Sequence, residues 1–139
     1  MAKIVVSDID FEDTDLEQAL VEEAGIEFAR FQDRTPEGII RNAAGAQGII
    51  TSYGDFTAEV FEALPDLRVV SRTGVGYDSI DIAAATEHGG AVCNVPGYGT
   101  EVVSDHAITL ALACLRRINE LDRDIKAGVW DFARTRPLG

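Results

Sequence analysis

Lysine is nearly missing from this sequence: Lys3 and Lys126 are its only two, and the other cations are arginines. Acids outnumber bases, 24 to 12, for a formal net charge of -12. A field of that sign argues against nucleic acid and anionic membrane as partners. Long apolar runs are also absent. None approaches the ~18 residues that a membrane span requires. Cysteine is scarce: Cys93 and Cys114 lie far apart, with no Cys-x-x-Cys spacing and no histidine nearby. That excludes a disulfide framework and a zinc knuckle, and no metal site is expected. Both cysteines read as small buried hydrophobes in a reducing cytoplasm. The N-terminus, Met1–Val6, is too short for a leader's apolar core and enters a strand pattern at once. No internal repeat or low-complexity tract occurs.

What is present alternates. Lys3–Ser7 is a β-type run, and Leu16, Ala19 and Leu20 then fall at helical spacing, with Asp13 or Thr14 as cap and Gly25 as stop. Ile26–Phe31 is a second strand. Thr35-Pro36 opens a helix with proline at its first position. Gly48–Ser52 is a third strand, Thr57–Leu64 a helix stopped by Pro65, and Leu67–Arg72 a fourth strand. A helix from Ser79 to His88 and a fifth strand, Ala91–Asn94, complete the series. Short apolar strands alternating with amphipathic helices predict an α/β fold, a parallel sheet with helices on both faces. Right-handed crossovers leave few topologies, and the flavodoxin-like order 2-1-3-4-5 is the one expected.

The stretch Arg72-Thr73-Gly74-Val75-Gly76-Tyr77-Asp78-Ser79-Ile80-Asp81 turns from a strand through two glycines into a helix. Such a turn, with φ > 0 expected at its glycines, exposes several backbone N–H groups. With a helix N-terminus behind it, it suits a carboxylate or phosphate. It is not a dinucleotide fingerprint, because Ser79 stands where the third glycine belongs. In the expected topology the ligand crevice lies beyond the C-terminal strand ends, where Ser7–Asp10, Tyr53–Asp55 and Thr73–Gly76 converge.

From Thr100 to about Ala127 the pattern is helical without a Gly or Pro, and Ala107–Leu115 is apolar nearly all round. A helix of that kind is buried on more than one side, against a second domain or a second copy of the chain. Residues 128–139 read as a linker.

Other candidates have plainer readings. Asp8 and Asp10 stand where a receiver domain holds Mg²⁺, but Asp55 is late for a phosphorylated residue and Asn94 occupies the lysine position, so both read as solvated loop acids. His88 suits the negative end of a helix. His106, beside Asp105, reads as packed inside its helix. Tyr53 and Tyr98 follow strand ends and could face the crevice or stand on its rim. Nothing assembles a nucleophile, a base and an orienting acid. The chain has a binding site and no catalytic set of its own.

The glycine stretch, with Ala84-Ala85, Asn94-Val95-Pro96-Gly97 and Ser104-Asp105-His106, resembles the D-isomer-specific 2-hydroxyacid dehydrogenases, the phosphoglycerate and glycerate dehydrogenases among them. The similarity is dense over residues 68–138 and diffuse before that. The resemblance implies a flavodoxin-like substrate domain over 1–98, an interdomain and dimerisation helix over 99–127, and a linker over 128–139 toward an NAD-binding domain. It further implies that backbone N–H groups at Val75 and Gly76, after Gly74, hold the carboxylate of a small 2-keto or 2-hydroxy acid. Tyr53, Gly54 and Tyr98 would line the substrate side, while Val75 and Val103 would approach NAD. The family's Gly-x-Gly-x-x-Gly, the residue that separates NAD from NADP, and the catalytic Arg, Glu and His all fall beyond Gly139. Neither His88 nor His106 matches that histidine. By resemblance the chain is the N-terminal part of a cytoplasmic, homodimeric dehydrogenase, inactive alone. The alternative is a free-standing flavodoxin-like binding or receiver-type module.

The crowd of acids from Asp8 to Asp33 admits two readings: an ordinary solvated surface, or adaptation to a salt-rich cytoplasm where carboxylate repulsion is screened. The second makes a checkable statement. Thermal melting should move upward from dilute buffer to molar salt, and an unchanged midpoint would exclude it.

Overall fold

A computed structural model describes residues 2–136. Backbone contacts divide the chain into two compact units, Met1–Gly97 and Tyr98–Gly139. The first contains β1 (Lys3–Asp8), α1 (Asp15–Glu23), β2 (Glu27–Arg30), α2 (Pro36–Asn42), β3 (Gly48–Thr51), α3 (Ala58–Ala63), β4 (Val69–Arg72), α4 (Ile82–Glu87) and β5 (Ala91–Cys93). All strand pairs are parallel, in the order β2-β1-β3-β4-β5. This is the flavodoxin-like arrangement that the alternation predicts.

Strand pairing brings Val5, Ile49 and Val70 side by side, and neighbours on parallel strands point to the same face. On that face they meet Ile39 and Ala43 of α2 and its cap, Val60 and Phe61 of α3, and Ala84 and Ala85 of α4, all at most 6% exposed. No residue of α1 belongs to this core. A right-handed crossover from β1 outward to β2 places α1 on the opposite face. There α1 buries Val21, while Leu16 and Leu20 stay 69% and 59% exposed. Periodicity identifies the apolar stripe of a helix; its rotation on the sheet decides which members are covered.

Local signals act as expected at several joints. The Thr35 hydroxyl accepts from Gly38 N–H at the start of α2, with Pro36 next to it. Gly25 adopts φ 71° after α1. The helix expected from Ser79 begins later, at Ile82, because Phe56 N–H donates to Ser79 O and Asp81 N–H to Phe56 O. These two bonds make a short bridge between Phe56 and Ile80.

In the second unit α5 (Thr100–Leu115) and α6 (Ile118–Lys126) replace the single long helix expected, followed by a 3-10 turn at Phe132–Thr135. The break is at Arg117, which takes φ 56°, a left-handed conformation that propensity and the Gly/Pro count do not reveal. The Arg117 guanidinium pairs with Glu120 in the first turn of α6, and this hydrogen bond and charge lower the Glu120 pKa. No residue of α5 is buried within this chain. His106 is therefore exposed rather than packed. Cys93 and Cys114 are exposed as well, contrary to the reading of both as core. Cys93 ends an edge strand on the side opposite Val92, which packs against the core. Pro137, Leu138 and Gly139, read as part of the linker, lie outside the described residues.

Candidate functional site

The C-terminal ends of β1, β3 and β4 meet at one edge of the first unit, and the central group there is Asp8. Contrary to the expectation of a solvated loop acid, it is completely buried. The β1–β3 register shifts between Val6 and Asp8, so that Asp8, and not Ser7, stands opposite Thr51. A bulge re-aims a side chain in this way. Asp8 Oδ1 accepts from Thr51 Oγ1 at 2.5 Å, from Ser52 N–H at 3.2 Å and from Gly54 N–H at 3.1 Å. Oδ2 accepts from Tyr53 N–H at 2.8 Å and lies 3.2 Å from Arg34 Nε. A carboxylate removed from water requires such a full set of donors.

The turn after β3 is thus built around the chain's own anion. Thr51 Oγ1 also accepts from Gly54 N–H at 2.9 Å. A Cβ at Gly54 would lie 2.6 Å from that hydroxyl oxygen and 2.8 Å from the Phe56 ring. Tyr53 projects outward, 49% exposed, with the Arg34 guanidinium 4.6 Å and the Arg72 guanidinium 5.5 Å from its ring centre. Arg34 also holds Asp10 at 3.0 Å. Hydrogen bonding to Asp10, then its negative charge, raise the Tyr53 pKa above the ordinary phenol value, and the two arginines oppose this more weakly.

The loop after β4 differs. Neither Gly74 nor Gly76 has the positive φ expected of this turn. A Cβ at Gly74 would lie 2.1 Å from an Arg72 guanidinium nitrogen, the far end of a flexible side chain that would have to shift. Arg72 is held across it by a 3.0 Å bond from Nε to Ser52 O. Two bonds then orient the loop: Val95 N–H donates to Gly74 O at 3.0 Å, and Asn94 Nδ2 donates to Val75 O at 2.7 Å. In a planar trans peptide the N–H points away from the C=O. Fixing those two carbonyls therefore turns the Val75 and Gly76 N–H groups to the other side. Neither of those N–H groups donates to an acceptor among the described residues. The Asn-x-Pro-Gly turn thus sets the direction of these two N–H groups, a function not readable from its residues. The N-terminus of α4 does not back the loop, because Asp81 caps it by accepting from Ala84 N–H at 2.9 Å.

The remaining candidates fall elsewhere. Tyr98 and Val103 belong to the second unit, each 68% exposed. His88 closes α4, its Nδ1 3.0 Å from Ala84 O and its ring beside Phe61. Among the described residues no group of three His, Cys, Asp or Glu side chains could hold a metal ion.

The fold is a flavodoxin-like α/β domain, and this edge carries two adjacent backbone N–H groups without an acceptor among the described residues. Residues 4–135 match the family "D-isomer specific 2-hydroxyacid dehydrogenase, catalytic domain", and the chain belongs to that family. It is 38% identical over 115 residues to a glyoxylate reductase of Korarchaeum cryptofilum, covering 80% of this chain and 35% of that protein. It is 42% identical over 96 residues to a D-3-phosphoglycerate dehydrogenase of Archaeoglobus fulgidus, covering 68% and 18%. The crystal structure of an NAD-dependent formate dehydrogenase from Staphylococcus aureus in complex with NAD superposes with a TM-score of 0.77 at 27% identity, over 97% of this chain and 44% of that one. The chain therefore spans about a third or less of the length of these two sequence relatives.

Two outcomes follow from the geometry. Gly54→Ala should destabilise the first unit by about 1–3 kcal/mol, the usual penalty of overpacking, read from chemical denaturation. The Tyr53 phenol should titrate above the ordinary tyrosine range, and Asp10→Asn should bring it down. With the folded pKa raised, the Tyr53 contribution to stability is complete below the unfolded value and is lost as pH rises through the folded one. Ultraviolet titration of the two proteins checks the shift.

Proposed function

We propose that this chain is the substrate-binding part of an NAD-dependent oxidoreductase that reduces 2-keto acids to D-2-hydroxy acids and catalyses the reverse. The observation that carries the reading is the pair of unclaimed N–H groups at Val75 and Gly76, aimed by Asn94 and Val95, in a chain of this family. Two adjacent backbone donors match the two oxygens of a carboxylate and add no positive charge. Held there, the acid would present its C2 carbon at the rim, next to Tyr53.

Tyr53 and Tyr98 would line the substrate side. The N–H of Gly54 is engaged by Asp8 and Thr51, so its share is the shape of the turn. Val75, with a side chain 48% exposed beside the nest, offers apolar surface to a nicotinamide ring, and Val103 would be a second contact. NAD, when bound, supplies or accepts the hydride. The arginine that polarises the C2 oxygen, the glutamate-oriented histidine that exchanges its proton, and the dinucleotide loop are assigned to sequence outside these residues. The domain plan is 1–98 for substrate, 99–127 for the interdomain and dimer helices, and 128–139 as linker. Val102, Val103, Ile108, Leu110, Leu112 and Leu115 are all about half exposed or more, which supports a homodimer through Thr100–Ala127. No helix among the described residues is long and apolar enough to cross a membrane, and a cytoplasmic location fits the acidic, cysteine-poor composition. A receiver-type module is less well supported, because Asp8 is already saturated by donors.

Titrating the chain with oxamate, an inert analogue of glyoxylate, should shift the amide resonances of Val75 and Gly76 beyond those of Ser52 and Gly54. No response at Val75 and Gly76 would overturn the carboxylate assignment. The chain alone should not oxidise NADH with glyoxylate or hydroxypyruvate. Measurable turnover would overturn the placement of the catalytic groups elsewhere.

A further inference from the structure

We propose that Asp8 is a positioning residue of this site: its two carboxylate oxygens divide the task of building the substrate-side wall. The inference rests on the reading of Tyr53 as part of that wall. Oδ1 makes the turn itself, through Thr51 Oγ1 and the N–H groups of Ser52 and Gly54. Oδ2 faces only Tyr53 N–H, at 2.8 Å, and Arg34 Nε, at 3.2 Å. Those two groups belong to the residue that carries the ring and to one of the guanidiniums beside that ring. One oxygen thus ties the backbone of Tyr53 to the cation that covers its ring.

The linkage continues to the nest. Arg72 flanks the same Tyr53 ring, bonds Ser52 O through Nε, and lies across Gly74. Ser52 Oγ and Thr73 Oγ1 are 2.8 Å apart, joining the two loops a second time. A change at Asp8 Oδ2 therefore reaches the rim through Tyr53 while leaving the Asn94 clamp on Val75 untouched. Asp8 touches no substrate in this scheme. It fixes the distance and angle between the carboxylate nest and the aromatic wall, and so which C3 substituents of a 2-keto acid are accommodated.

Asp8→Asn separates the two oxygens. An asparagine of the same size keeps Oδ1 as an acceptor and turns –NH₂ toward Tyr53 N–H and Arg34 Nε, a donor against donors. Hydrogen exchange at Tyr53 N–H is expected to accelerate about tenfold or more, with Ser52 and Gly54 less affected. The Tyr53 ring resonances should lose their response to oxamate while Val75 and Gly76 still respond. Asp10→Asn, which removes an exposed partner of Arg34 and of the Tyr53 phenol, should leave Tyr53 N–H exchange unchanged. An Asp8→Asn protein whose Tyr53 exchange and ring response match the wild type would overturn the proposal. If that variant does not fold, Arg34→Gln decides the same point by removing the side-chain partner of Oδ2. A retained ring order would then overturn it. A wild-type chain that ignores oxamate refutes the carboxylate reading instead, and the Tyr53 exchange rates still decide the role of Asp8.

Discussion

A buried carboxylate is costly to desolvate, and the architecture of this edge follows from how the Asp8 charge is satisfied. Five hydrogen-bond donors surround it, the Ser7 and Thr51 hydroxyls and three consecutive backbone N–H groups, with Arg34 Nε in ion-pair contact. The backbone donors require the chain after β3 to curl around the end of β1. The curl brings Gly54 against Thr51 and Phe56, where no side chain fits. It leaves Tyr53 as the outward residue and draws Arg34 over its ring. Removing one partner of such a set leaves a charge or a donor buried alone, which is why the elements of this edge depend on one another.

The two loops at the strand ends are physically alike and differ in occupancy. Both offer successive N–H groups to one point, the geometry that binds anions. After β3 the point is filled by Asp8. After β4 the carbonyls are held from behind by Asn94 and Val95, and the N–H groups of Val75 and Gly76 face away from them without a protein partner. Asp8 fills the first loop, and the second keeps two N–H groups without an acceptor among the described residues.

The second unit follows a different constraint. Its helix α5 exposes Val102, Val103, Ile108, Leu110, Leu112 and Leu115. These residues lie on several sides of the helix, as its nearly all-apolar run Ala107–Leu115 requires. Its own interactions, Arg117 with Glu120, Lys126 with Asp122 and Arg134 with Asp124, are surface ion pairs of small individual weight. They shape the unit locally and leave the apolar surface uncovered.

By itself the sequence determined the alternation of strands and helices, the parallel order 2-1-3-4-5, the caps at Thr35 and Gly25, and the glycine loop as the place to look. These are local quantities: periodicity, propensity, turn chemistry and handedness act over a few residues. Tertiary structure decided the rest. Nothing near Asp8 in the chain marks it as buried, because its partners Thr51, Ser52, Tyr53 and Gly54 lie more than forty positions away. The bulge that aims it exists only once β1 pairs with β3. Gly74 turns under the Arg72 guanidinium without a positive φ, and the break at Arg117 contradicts its own residue type. Each is a contact or a conformation that depends on the assembled chain, and local pattern carries no record of it.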